Sequence, residues 1–226
     1  MKSAFLIPFI LFFLVLSFHT SSQVSYQKMP VEKLEAAYEK YKEPSITHRR
    51  FKHASIQPLI QKHGSEFKLE ELGTSVEGKS ITSMKWGQGG TKVMLWSQMH
   101  GNESTATMAL FDLFNFLEGK NDGYDELRTL LKNQLSLKFI PMINPDGADG
   151  FKRRNALDID LNRDAISQIS PEAVILKKAR DDFEPEFGFN LHDQQIYYNV
   201  VNTPKQATIS LLAPAYNYET EINEVR

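Results

Sequence analysis

The sequence predicts a layered α/β fold in which the strands of one sheet alternate with helices. Three observations carry this. Apolar runs of strand length recur, at Val93-Met94-Leu95-Trp96 and from Leu135 to Ile143. Between them the period becomes helical, with Leu110, Leu113, Phe114 and Leu117 at i, i+3, i+4 and i+7. The composition is that of one domain with a real core: 226 residues, 41% hydrophobic and 24% charged. Strands alternating with helices build layered α/β sheets.

In chain order, Val31, Leu34, Tyr38 and Tyr41 recur at helical spacing between Pro30 and Pro44. Residues 46–63 read as one or two short helices interrupted near Pro58. They carry His48, His53 and His63, expected to be solvated or half-packed. Phe67 to Gly73 and Lys79 to Trp86 read as strands joined by a polar turn at 74–78. Gly87-Gln88-Gly89-Gly90 leads into a strand at 92–99. A helix follows at 104–118, capped by Ser104 or Thr105 and ended by Gly119. Asp125 to Lys132 is a further helical turn, and Pro145-Asp146-Gly147 turns the chain sharply after the Leu135 to Ile143 strand. Ser170-Pro171-Glu172 starts a helix whose inner face is Leu176, Ala179 and Phe183. Phe187, Phe189 and Leu191 alternate as a short strand that ends at His192.

Several classes of function are excluded early. A net charge of −2 offers no basic field for nucleic acid. With no cysteine there is no disulfide, thiolate metal site, cysteine nucleophile or lipidated cysteine anchor. Lys2, the apolar run Ala4 to Phe18 and the small residues Thr20-Ser21-Ser22 read as a signal peptide over residues 1–22. The run is short for a span of ~20 residues. The expectation is therefore a secreted or periplasmic protein, with residues 23–226 as its domain and no stable membrane span after signal removal.

His100-Gly101-Asn102-Glu103 lies where a strand ends and a helix begins, the edge at which α/β sheets bind ligands. A second HxxE, His63-Gly64-Ser65-Glu66, follows a polar helix end and lacks that context. Catalytic zinc takes three protein ligands and leaves one position open. His100 and Glu103 supply two, and His192, at another strand end, is the candidate third. The loop from Asn144 to Asp164 adds Arg153, Arg154, Asn155, Asp160, Asn162, Arg163 and Asp164. Guanidinium groups fork onto carboxylates, so an arginine beside such a metal suits a substrate that ends in one.

These motifs in this order (HGNE, NPDG, the DLNR at 160–163 and the strand-borne His192) resemble the zinc carboxypeptidases of the carboxypeptidase A type, across about residues 92–193. The resemblance implies an α/β fold with a mixed, mostly parallel central sheet flanked by helices, one zinc held by His100, Glu103 and His192, and a carboxylate clamp of Asn162 and Arg163. It also implies an oxyanion-stabilising Arg153, with Arg154 as the alternative, and Asp160 hydrogen-bonded to the first zinc histidine. The implied reaction is hydrolysis of the C-terminal peptide bond. Two positions depart from the family pattern. Asn102 stands where animal digestive members carry arginine, and Asp193-Gln194 follow His192 in place of a serine and tyrosine, which alters the substrate side. The general base, a glutamate well downstream in the family, is not found. Glu219, Glu221 and Glu224 read as solvated, and Tyr197 and Tyr198 as strand packing. The sequence thus reads as incomplete at its C-terminus. Two other readings stand beside the peptidase: a zinc amide hydrolase of the N-acyl amino acid deacylase type, and a non-catalytic zinc-dependent peptide-binding module.

Overall fold

A computed structural model describes residues 30–194, 199–200 and 203–205. The signal segment and residues 197, 198, 216, 219, 221 and 224 lie outside the described residues. Among the described residues six α-helices and five strands follow one another: α1 (Val31–Tyr41), α2 (His53–Lys62), β1 (Lys68–Thr74), β2 (Ser80–Trp86), β3 (Thr91–Ser97), α3 (Thr105–Glu118), α4 (Asp125–Gln134), β4 (Leu135–Ile140), α5 (Pro145–Asp149), α6 (Pro171–Phe183) and β5 (Phe187–Leu191).

The strands form one mixed sheet in the order β1-β2-β4-β3-β5. β1–β2 and β2–β4 are antiparallel, whereas β4–β3 and β3–β5 are parallel. The chain leaves β3 through α3 and α4 to pair β4 on one side. It leaves β4 through α6 to pair β5 on the other. β3 is therefore the strand at which the connections change direction, and its C-terminal edge is a natural ligand crevice.

Alternation along the strands divides the core between the two faces. Phe67, Met84, Trp86, Leu110, Phe111, Phe114, Leu117 and Phe139 pack on the α2–α3 side. Ile81, Met94, Met99, Ile140, Ile143, Leu161, Ala179 and Phe183 pack on the α6 side. The expected inner face of α6 is borne out at Ala179 and Phe183, with Leu176 packed against the same cluster.

Four local expectations are corrected. α2 runs through Pro58 without interruption, its Ile56 and Ile60 buried. Burial of that face outweighs the backbone hydrogen bond the proline removes. Pro145-Asp146-Gly147 opens the short helix α5, and the Asn144 side chain caps it by accepting from the Gly147 N–H at 2.9 Å. Neither Ser104 nor Thr105 caps α3 with its side chain. Instead the Asp193 carboxylate accepts from the Thr105 N–H at 3.0 Å. His63 is fully buried, with its Nδ1 2.9 Å from Glu118 Oε1 and its ring among Phe67, Phe111 and Phe114. His48 is exposed and His53 half-buried, as expected.

Candidate metal centre

β3 delivers the first ligand through a sharp change of direction. Gln98, just past the strand, takes the left-handed conformation (φ 49°), which a non-glycine residue holds only when its surroundings impose it. Its amide supplies that restraint, donating to the Gly101 carbonyl at 2.9 Å and accepting from Thr107 Oγ1 at 2.8 Å. The following His100-Gly101 backbone lies directly on the NPDG segment. A Cβ at Gly101 would come within 2.0 Å of the Gly147 backbone, so only glycine lets the HGNE loop lie on NPDG, while a Cβ at Gly147 would meet Asn144 and the Arg154 carbonyl. Asn144 Nδ2 ties the same junction by donating to the Met99 carbonyl at 3.2 Å.

His100, Glu103 and His192 converge here, with one ligand atom from each lying within 4.8 Å of the others. The second HxxE does not assemble in this way, because Glu66 pairs with Lys120 at 2.9 Å while His63 faces Glu118. His100 and Glu103 are buried, whereas the His192 side chain is 33% exposed and marks the open side of the centre.

The His100 ring shows what this arrangement is fit for. Its Nε2 lies 3.0 Å from Asp160 Oδ1. A carboxylate only accepts, so Nε2 carries the proton and Nδ1 presents its lone pair. That Nδ1 is buried, has no hydrogen-bond partner and stands 2.9 Å from Glu103 Oε1. On the other side, His192 Nδ1 lies 2.6 Å from Glu103 Oε2. A buried lone pair facing a carboxylate is stabilised by a cation between them, and two imidazoles with one carboxylate form a zinc-type donor set.

The loop after β4 separates residues that the sequence left together. Arg153 faces the centre, its Nε donating to Asp160 Oδ2 at 3.2 Å and its Nη1 lying 3.3 Å from Glu103 Oε1. Arg154 points away and donates to the Asp158 carbonyl at 2.8 Å. Asp160 also accepts from the Asn162 N–H at 3.0 Å. Burial raises its pKa, but His100 and Arg153 outweigh burial and leave its carboxyl below the usual range. Asn162 lies beside Asn190 of β5, and the Arg163 side chain is exposed. Asn155 and Asp164 organise the backbone. Asn155 accepts from the Leu157 and Ile159 N–H groups, and Asp164 from those of Ile169 and Ser170. Asp146 of NPDG is likewise structural. It anchors the β1–β2 turn by accepting from Ser75 Oγ, the Glu77 N–H and Lys79 Nζ.

Sequence reasoning missed Gln98 and Arg49. Gln98 carries no local signal beyond its place at a strand end. Arg49 reaches the centre from far away in the chain, donating to the Asn102 carbonyl at 3.3 Å and pairing with Asp193.

The fold and centre define a layered α/β protein with a His/Glu/His metal-type site at the C-terminal edge of its parallel strands. The zinc carboxypeptidase family model matches residues 52–181, more than half of the sequence, and the chain belongs to that family. His192 lies beyond the matched segment, so its inclusion rests on the geometry above. An uncharacterized protein of Zymomonas mobilis is 28% identical over 147 residues, covering 63% of this chain and 37% of its own length. Human carboxypeptidase D is 28% identical over 203 residues, covering 80% of this chain and 14% of that protein. The chain thus spans well under half the length of these relatives. Among solved structures, a metallo-carboxypeptidase from Burkholderia cenocepacia superposes with a TM-score of 0.58 at 23% identity, over 63% of this chain and 41% of that one. That likeness carries the fold.

Proposed function

We propose that residues 23–226 belong to an exported zinc metallocarboxypeptidase that hydrolyses the C-terminal peptide bond of peptides. In this reading His100, Glu103 and His192 hold the zinc. Asp160 fixes the His100 tautomer. Arg153 faces the developing oxyanion with the two N–H groups it does not spend on Asp160 and Glu103. Asn162 and Arg163 receive the substrate carboxylate, and the exposure of Arg163 leaves its guanidinium free to be reached from solvent. Zinc held there supplies Lewis-acid polarisation of the scissile carbonyl and acidifies a water. The apolar Ala4 to Phe18 run supports export. Among the described residues no helix is long and apolar enough to cross a membrane.

The observation that carries this reading is the buried, unpartnered lone pair of His100 Nδ1 aimed at the Glu103 carboxylate. Two measurements test it. Purified protein is expected to hold about one zinc per chain, lost in His100→Ala; an absence of zinc in both proteins sinks the centre. Arg163→Ala is expected to weaken binding of free-carboxylate peptides by about tenfold or more while sparing their C-terminal amides, as loss of a charged hydrogen bond does. Equal losses for acids and amides remove the clamp.

The peptide-binding reading keeps one specific support. The carboxylates Glu103, Asp160 and Asp193 are each already engaged by neighbouring groups. Turnover of peptides by the 226-residue chain is therefore expected to be weak. Robust zinc-dependent hydrolysis would assign the proton transfer to a group outside the described residues. Preferential cleavage of N-acyl amino acids would favour the deacylase reading.

A further inference from the structure

The chain neighbours of two metal-type ligands are bound to one another by a network the family resemblance does not supply. Asp193 directly follows His192. Its side chain is 8% exposed, and it accepts from the Thr105 N–H at 3.0 Å and Thr105 Oγ1 at 3.1 Å. That places a carboxylate on the positive end of α3, two residues after Glu103. Arg49 closes the arrangement from the segment before α2. Its guanidinium pairs with Asp193 and donates to the Asn102 carbonyl at 3.3 Å, while its own carbonyl accepts from Ser104 Oγ at 2.7 Å. Asn102, Ser104 and Thr105 surround Glu103 in sequence. The backbone on both sides of Glu103 and the residue after His192 thus converge on one arginine–aspartate pair. Asp193, one of the two positions that depart from the family pattern, thus faces the metal loop and the start of α3.

We propose that Arg49 and Asp193 form a strap that positions Glu103 and His192 relative to each other for metal binding. They are positioning residues, since neither is a ligand. An isolated exposed ion pair contributes little to stability. Here the arginine is outside but the aspartate is buried with several donors, so the pair sets geometry more than it sets stability. Outer partners of metal ligands characteristically act in this way, and their loss lowers metal affinity by about 10–100-fold.

The proposal rests on the zinc reading, and the experiment keeps the two apart. Zinc affinity of the full chain is measured by competition with a chromophoric chelator, and coordination geometry by the visible spectrum of the cobalt(II)-substituted protein. Arg49→Ala and Asp193→Asn are each expected to weaken zinc binding by about 10–100-fold and to alter the cobalt bands. Asp193→Asn retains an oxygen to accept from the Thr105 N–H, so the fold is kept. Arg49→Lys is expected to restore part of the affinity, and the double variant to be no weaker than the weaker single. Asp122→Asn, which disrupts a buried ion pair far along the chain, is expected to lower thermal stability while leaving zinc affinity and the cobalt spectrum unchanged. Wild-type affinity and spectra in both strap variants, alongside loss of zinc in His100→Ala, overturn the strap and leave the zinc reading standing. An equal loss of affinity in Asp122→Asn reduces the strap to general stability and overturns it too. A wild-type protein without zinc removes both proposals.

Discussion

At the residue scale, His100 is held in one tautomer by the Asp160 contact at Nε2, and this turns its other nitrogen into a ligand. Asp160→Ala is expected to lower zinc affinity by about 10–100-fold, measured by chelator competition, because the ring loses its orienting acceptor. Unchanged affinity would mean that packing alone orients the ring. His100 and Glu103 were legible because their spacing and the strand before them are local. The choice between Arg153 and Arg154 was not. It depends on the path of the backbone through Phe151 and Asp158, both in the left-handed region at φ 48° and 59°. Aspartate adopts that conformation more readily than most residues, but phenylalanine gives no sign of it.

At the element scale, the site is the junction of two loops that meet at Gly101 and Gly147. Gly101→Ala is expected to force the HGNE loop off the NPDG backbone, with a lowered melting temperature and loss of bound zinc. A variant that melts normally and holds zinc would show that the loops separate without cost. The start of α6 is a simpler case. Ser170 Oγ accepts from the Ala173 N–H at 3.3 Å and donates to Asp164 at 2.7 Å. Ser170→Ala is expected to cost about 1–2 kcal/mol in chemical denaturation, as cap removal does. This cap was readable from Ser170-Pro171-Glu172. The cap of α3 was not, since its acceptor, Asp193, arrives from the far end of the described chain.

At the scale of the whole molecule, stability rests on two apolar layers and a few buried ion pairs. Phe114 is fully buried against Phe67, Phe111 and Phe139, and Phe114→Ala is expected to cost about 3–5 kcal/mol. Acid sensitivity follows from carboxyls held below their ordinary range. Asp122 is lowered chiefly by hydrogen bonds from Arg128, whose Nη1 lies 2.7 Å from its Oδ1. For Asp164 burial acts in the raising direction, but the Ile169 and Ser170 donors outweigh it. A carboxyl whose folded pKa is depressed adds stability above its unfolded value of about 3.9. That stability is lost as pH falls from there through the folded value. The protein is therefore expected to lose stability below about pH 4, and Asp122→Asn to be less stable at neutral pH with a shallower acid dependence. A parallel dependence in both proteins would show that Asp122 titrates alike in folded and unfolded chains.

The sequence by itself determined the element order apart from α5, the α/β class, the absence of thiolate chemistry and the HxxE pair that begins the metal centre. These are properties of neighbouring residues: periodicity, turn chemistry and ligand spacing act over one turn of helix or one strand. Tertiary structure turned two candidates of the sequence into neighbours, bringing His192 to Glu103 and setting Arg153 rather than Arg154 beside them, and it alone tied Arg49 to Asp193. Each of these depends on which strands lie side by side, and β5 pairs with β3 across nearly a hundred residues of intervening chain. Contacts at that distance are set by which apolar faces cover one another, and no local pattern in the sequence encodes them.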